Sequence, residues 1–286
     1  MIQRKQHIEG NLYCNISDLM KHHSSLLVKQ LESILPENNQ DILLTSMRYS
    51  MFAPGKHIRP FLVNASAQIF NVNVDRILPV SAAVEIIHVY SLIHDDLPGI
   101  DNENIRRGQA SSHKKFNEAI AILTGDALLT LAFEILSTID ESPFIRCCMI
   151  KALAKALGYQ GMIQGQILDT ETIAKDTNDI QAIHVLKTAQ FFSVACELGG
   201  ILGNASNIEL NALANYGLNL GHAFQVKDDI ADANQDKSKN NILNILNNED
   251  AQNYLNSLID KSIEHLTILS HKADILHSLA EFIRNL

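Results

Sequence analysis

An all-α fold is predicted by three observations on the 286-residue chain. Apolar residues recur at helical spacing almost throughout, strand-like alternation never persists beyond a few residues, and Pro and Gly are scarce. Helices are expected near 16–35, 38–53, 57–71, 75–97, 117–138, 143–168, 178–203, 207–234, 248–270 and 271–284. Short connections such as Pro36-Glu37-Asn38-Asn39 and Asn71-Val72-Asn73 join them, and Asp75, Asn117, Ser142 and Asn207 stand where N-caps belong. The central helices are apolar nearly all round, as deeply buried helices are. With no Gly/Ser-rich linker and no fixed-period repeat, residues 1–286 read as a single domain. Asp236–Asn256 is rich in Asn and Lys with weak periodicity, and reads as a polar surface connection or a flap.

Composition narrows the function. Hydrophobic residues make up 46% of the chain and charged residues 19%, enough apolar surface for a sizeable core. The net charge of −9, with no long Lys/Arg run, argues against nucleic acid as a partner. No apolar run is expected to reach transmembrane length, and MIQRKQHIEGNLY has no signal-peptide core, so a cytoplasmic chain without stable membrane insertion is expected. Cys14, Cys147, Cys148 and Cys196 have neither metal-site nor disulfide-framework spacing and read as thiols in or near the core.

One stretch, Glu85–Gly108 (EIIHVYSLIHDDLPGIDNENIRRG), concentrates the chemistry. Glu85, His88, Leu92 and Asp95 share one helical stripe, with Ser91 beside it. An unbroken helix would rotate Asp101 about 240° from Asp95, but Pro98 and Gly99 interrupt it and can bring Asp101 back. Converging carboxylates with no base between them call for a hard divalent cation. Arg106 and Arg107 just beyond suit a metal-bound anion, typically a phosphate. A solvated acidic turn is the plainer alternative. A second cluster, Gln225-Val226-Lys227-Asp228-Asp229-Ile230-Ala231-Asp232, puts Gln225, Asp228 and Asp232 on one face. Gly55-Lys56-His57-Ile58-Arg59-Pro60 sets Lys56 and Arg59 on a helix's first turn, where an anion can be held. Gln166-Ile167-Leu168-Asp169 and Lys187-Thr188 lie inside otherwise apolar helices; Lys187 either snorkels to solvent or meets a phosphate.

In this order GKHIRP, HVYSLIHDDLPGIDNENIRRG, LTGDALLTLAF, GQILD, LKT and FQVKDDIAD resemble the trans-polyprenyl diphosphate synthases over roughly residues 40–235, most closely the bacterial farnesyl diphosphate synthases. The resemblance implies a single bundle of long helices around a deep central cavity (the isoprenoid synthase type), usually a homodimer. It implies three Mg2+ ions, held by Asp95, Asp96 and Asp101 on one side and by Asp228 and Asp232, with Asp229 between them, on the other. Arg106, Lys187, Thr188 and Gln225 match residues on the allylic diphosphate, and Gly55, Lys56, Arg59, His88 and Arg107 match the isopentenyl diphosphate pocket. The catalytic set implied is Asp95, Asp101, Arg106, Lys187, Thr188, Gln225 and Asp228. The reaction implied is ionisation of the allylic diphosphate, attack by isopentenyl diphosphate and loss of a proton. Tyr90 and Ser91, about one turn or roughly 5.4 Å below Asp95, would floor the cavity and stop the product at farnesyl diphosphate. Geranyl or geranylgeranyl synthesis, a class I terpene cyclase and a non-catalytic regulatory subunit are the alternatives; two whole acidic motifs and the Lys56/Arg59/His88 set argue for an active synthase. The chain departs from the family at Ala189 and in a shortened segment after Asp232, where Lys237 or Lys239 could replace a missing lysine. Arg284 is a candidate for closing the site.

Overall fold

The computed structural model describes residues 2–38, 40–231 and 240–286, with side chains from Ile16 onward except at 270 and 271. It is all-α. Thirteen α-helices are described: α1 Ile2–Ile34, α2 Ile42–Met51, α3 Ile58–Gln68, α4 Val74–Asp95, α5 Ser112–Lys115, α6 Glu118–Thr138, α7 Pro143–Leu157, α8 Met162–Glu171, α9 Thr177–His184, α10 Gln190–Leu202, α11 Asn207–Ala231, α12 Asn248–His265 and α13 Asp274–Arg284. A two-residue hairpin, β1 Ile105–Arg106 with β2 Gln109–Ala110, interrupts them.

The chain divides into two compact units. One comprises Met1–Leu19, Ala65–Val72 and Lys151–Leu286; the other comprises Met20–Asn64 and Asn73–Ile150. In the second of these, α4 packs along α6. Ala82, Ala83, Val84, Ile86 and Ile87 are fully buried, so α4 is enclosed over most of its circumference and its carboxylate end is fixed rigidly. In the other unit α11 packs between α10 and α12. A Cβ on Gly217 would come within 2.6 Å of the Phe192 carbonyl oxygen, so only glycine allows α10 and α11 this close. The Tyr216 hydroxyl donates to the Leu276 carbonyl at 2.7 Å, tying α11 to α13.

Local chemistry sets the helix ends. Asn117 caps α6 by accepting from the Ile120 N–H at 2.8 Å, and Ser142 accepts from Ile145 at 3.2 Å, as expected. Two caps move. Asn73 rather than Asp75 caps α4, and α11 starts with a capping box in which Ser206 and Glu209 exchange bonds, leaving Asn207 as the first helical residue. The helix expected over 143–168 is two helices, α7 and α8, broken at 158–161. A Cβ at Gly161 would sit 1.9 Å from the Ala156 carbonyl oxygen, a fold-back that only glycine permits. The helix expected from 16 begins at Ile2, and the one expected over 248–270 tightens to a 3-10 segment from Leu266.

Three further expectations are corrected. Val74–Asp95, Glu118–Thr138 and Thr177–Leu202 are long and apolar enough to cross a membrane; the first and third are mostly enclosed and need apolar residues on every face, while only 33% of the apolar window in Glu118–Thr138 is buried. Cys147 is exposed and Cys148 partly so; only Cys196 among the described thiols is buried. Within the Asn-rich stretch, Asn240 and Asn241 are not surface residues: they are 4% and 6% exposed, since their amides meet several backbone groups at once.

Buried imidazoles give the fold an acid limit. Burial lowers His23 and His57 to about 4 and His222 to about 3, with His57, Arg107 and His184 respectively adding like-charge opposition. In the unfolded chain these groups take protons from about pH 6.5 downward. Stability is therefore lost as pH falls from 6.5 toward 4, by about 1.4 kcal/mol per group for each pH unit separating its two pKa values. Glu85, raised by burial to about 7 and so protonated more readily when folded, opposes this trend. The urea midpoint is expected to drop steadily between pH 7 and pH 4; a flat profile would show that the imidazoles are not buried neutral.

Candidate active site

The end of α4 turns back on itself. Pro98 and Gly99 stop the helix, and the Asp101 N–H donates to the Asp95 carbonyl at 2.9 Å, so the two aspartates share one turn as the spacing allowed. Asp95 is half-buried and Asp101 exposed. Asp96 points elsewhere: it is 2% exposed and accepts from Arg106 Nη2 at 2.6 Å and Nε at 2.9 Å. Burial raises its pKa, against the pull of the Arg106 guanidinium.

Two consecutive arginines serve different places. Arg106 ends β1, and Arg107 with Gly108 makes the hairpin turn, with φ of 52° and 79°, the pair of positive values that a two-residue type I′ turn demands. Arg106 therefore returns to Asp96, while Arg107 reaches Glu85, with Nη2 3.6 Å from Oε1. Around Glu85 stand His57, with Nε2 at 3.8 Å, and Arg59, whose Nη1 lies 3.3 Å from His88 Nε2. Burial, reinforced by Arg59 and Arg107, holds His88 well below the ordinary imidazole range, so it is neutral. Gly55 and Lys56 are exposed on the loop beside Arg107, and a Cβ on Gly55 would lie 3.1 Å from the Arg107 guanidinium carbon. Gly55, Lys56, Arg59, His88 and Arg107 are thus gathered in one place.

One turn below Asp95, Tyr90 is 5% exposed and meets His94 edge-on, ring centroids 5.7 Å apart. Burial and the Asp95 charge push its phenol up to about 12. Ser91 Oγ donates to the His88 carbonyl at 2.9 Å.

The second cluster is built around Asp229. It is buried and accepts from Gln225 Nε2 at 3.0 Å and from the Ile242 N–H at 2.8 Å, with His184 Nε2 at 3.3 Å. Gln225 also accepts from Thr188 Oγ1 at 2.9 Å. Asp229 is therefore a structural hub, while Asp228 is half-buried on the adjoining face of α11. Asp232, Lys237 and Lys239 lie outside the described residues.

Lys187 and Thr188 sit in a π-helical turn, Val185–Ala189, which widens the backbone between α9 and α10. Lys187 Nζ donates to Asp169 Oδ2 at 2.6 Å rather than snorkelling to solvent. Gly165 makes this approach possible: a Cβ there would fall 2.2 Å from the Lys187 backbone nitrogen. Asn240 then locks Asp169, donating to its Oδ1 at 3.0 Å and to its carbonyl at 2.9 Å. Burial works to raise the Asp169 pKa, but Lys187 and Asn240 outweigh it and hold it low. Sequence reasoning missed His184, Asn240 and Asn241, which have no distinctive spacing. Arg284 is bound to Asp260 at 2.5 Å and to Glu281 at 3.0 Å, with its carbonyl 3.5 Å from Lys227 Nζ.

Among the described residues no three His, Cys, Asp or Glu side chains lie close enough to cage a metal by themselves. Asp95 and Asp101 on one turn, and Asp228 on α11, are hard oxygen donors in ones and twos. That fits magnesium, which binds through one or two carboxylates and completes its shell with substrate phosphates and water.

Helices ending in carboxylates with cations beside them suit a metal-bound anion such as a phosphate. The chain belongs to the polyprenyl synthetase family, whose pattern matches residues 40–257, and is a prenyltransferase. It is 42% identical over 195 residues to the farnesyl diphosphate synthase of Geobacillus stearothermophilus, covering 66% of each chain. It is 39% identical over 271 residues to that of Escherichia coli (strain K12), covering 87% of this chain and 90% of the relative. An apo FPP/GFPP synthase structure from Zymomonas mobilis, 39% identical, superposes with a TM-score of 0.84 over 96% of this chain and 99% of that one.

Proposed function

We propose that the chain condenses isopentenyl diphosphate with dimethylallyl or geranyl diphosphate and releases farnesyl diphosphate. The observation that carries this reading is the return of Asp101 onto Asp95, followed at once by a hairpin that sends Arg106 and Arg107 to separate places. The family match runs through both units, which supports reading them as one synthase domain.

Mg2+, three ions by family resemblance, would be held by Asp95, Asp101, Asp228 and Asp232, while Asp96 holds Arg106; when bound it neutralises diphosphate charge and makes it a better leaving group. The side chains do the rest. Arg106 and Lys187 stand ready to stabilise charge developing on the departing diphosphate, once it competes with Asp96 and Asp169 for them. Thr188 and Gln225, bonded to each other, offer a hydroxyl and an amide to the same group. Lys56, Arg59, His88 and Arg107 bind isopentenyl diphosphate and orient its double bond toward the allylic carbon. The proton released on elimination leaves with the diphosphate, so no protein base is needed, and the double bond of isopentenyl diphosphate is itself the nucleophile. Purified protein supplied with magnesium, labelled isopentenyl diphosphate and each allylic primer should form a fifteen-carbon product; no elongation with any primer would refute the reading.

Tyr90 sets product length by standing one turn below Asp95. Tyr90→Ala should shift the products beyond fifteen carbons, read by reversed-phase chromatography of the dephosphorylated alcohols. An unchanged product would mean the floor lies elsewhere.

The protein is expected to work in the cytoplasm as a homodimer. Helix α6 supports the dimer: Ala121, Thr124, Leu128 and Ala132 are buried on one face, while Ile122 and Leu123 on the other are 43% and 56% exposed.

A further inference from the structure

Glu85 is 1% exposed, one turn before His88 on α4, and has no part in the chemistry above. A carboxylate so deeply buried costs several kcal/mol unless it is compensated. Yet neither of its oxygens has a hydrogen-bond donor in good geometry among the described residues, and Arg107 Nη1 is likewise buried without an acceptor. The groups facing Glu85 come from three places: His57 just before α3 and Arg59 on it, His88 on α4, and Arg107 at the hairpin turn. Neutral His57, anchored by Ser24 Oγ 2.7 Å from its Nδ1, cannot supply the balancing charge. The two guanidiniums must: they draw Glu85 toward its charged form against the burial that raises it to about 7, so the carboxylate dominates as pH rises above 7.

We propose that Glu85 is a positioning residue for isopentenyl diphosphate: its buried carboxylate anchors Arg107 beside Gly55, across from Arg59, so that both arginines face the incoming anion preformed. The 3.6 Å gap is the reason this works. Glu85 attracts the guanidinium without saturating its N–H groups, so they remain for a phosphate oxygen. The cost of ordering Arg107 is met by folding rather than by substrate binding. This inference rests on the reading that Arg59, His88 and Arg107 hold isopentenyl diphosphate.

Glu85→Gln keeps the shape and removes the charge. Steady-state assays should show its KM for isopentenyl diphosphate raised about tenfold, with the allylic KM and kcat changed less than about threefold. Glu85→Asp, which withdraws the charge by one methylene, should raise the same KM by less. An unchanged KM in folded Glu85→Gln overturns the proposal, as does an equal fall in kcat and rise in both KM values, the mark of general loosening. If melting curves show Glu85→Gln unfolded, Glu85→Asp decides by the same criteria. A wild-type protein that turns over with Glu85→Gln unaffected sinks the role of Glu85 alone; a wild-type protein that never consumes isopentenyl diphosphate sinks both readings.

Discussion

Asp95→Ala should lower kcat by about 100- to 1,000-fold, the loss seen when one preorganised charge-stabilising group is removed from an active site. Asp95 is half-buried at the end of α4, and its side chain is not part of the core that holds the helix. Its backbone carbonyl, which accepts from Asp101, is kept in the variant. The circular dichroism spectrum and melting temperature should therefore match the wild type while turnover collapses. Raising magnesium should restore little, because the missing group is a ligand and not a shortage of ion. An Asp95→Ala enzyme with near-normal rate would overturn the assignment of this turn as the catalytic metal site.

Asp229→Ala should fail in another way. This carboxylate lies 4% exposed, with Gln225, the Ile242 N–H and His184 converging on it. Deleting it strands buried donors at about 1–3 kcal/mol each, so a stability loss of roughly 3 kcal/mol or more is expected. Urea unfolding measures it directly, and Asp229→Asn, which keeps an acceptor, should recover part of the loss. Activity should fall too, since Gln225 would lose the bond that aims it and its partner Thr188. A variant with wild-type stability would mean that Asp229 is not the hub the geometry describes.

These two aspartates mark how far the sequence can be read. The turn from Asp95 to Asp101 was legible because it is local: a helix, then Pro98 and Gly99, then a carboxylate within one turn's reach. Asp228 and Asp229 are neighbours with the same side chain, and nothing local separates a half-buried ligand candidate from a buried hub. That difference comes from Ile242 and His184, which are distant in sequence. Arg106 and Arg107 make the same point more sharply. Read in line they form one basic pair, yet positive φ at Arg107 and Gly108 sends one to Asp96 and the other to Glu85.

The break between α7 and α8 escaped because their apolar periods run on through Gly158–Gly161, and only the close approach of the Ala156 carbonyl demands glycine there. Asn240 and Asn241 escaped because composition marks Asn as a surface residue, whereas here their amides fasten Asp169 and Asp229.

By itself the sequence determined the all-α class, the family and the residue types that gather at each helix end, because periodicity, caps and short motifs are set by neighbours along the chain. Tertiary structure alone decided that Asp96 and Asp229 are buried, the first against Arg106 and the second against the Ile242 N–H and His184, while Asp95 and Asp228 stay half-buried. That choice depends on burial and on partners beyond the reach of a helical turn, and spacing along a chain encodes neither.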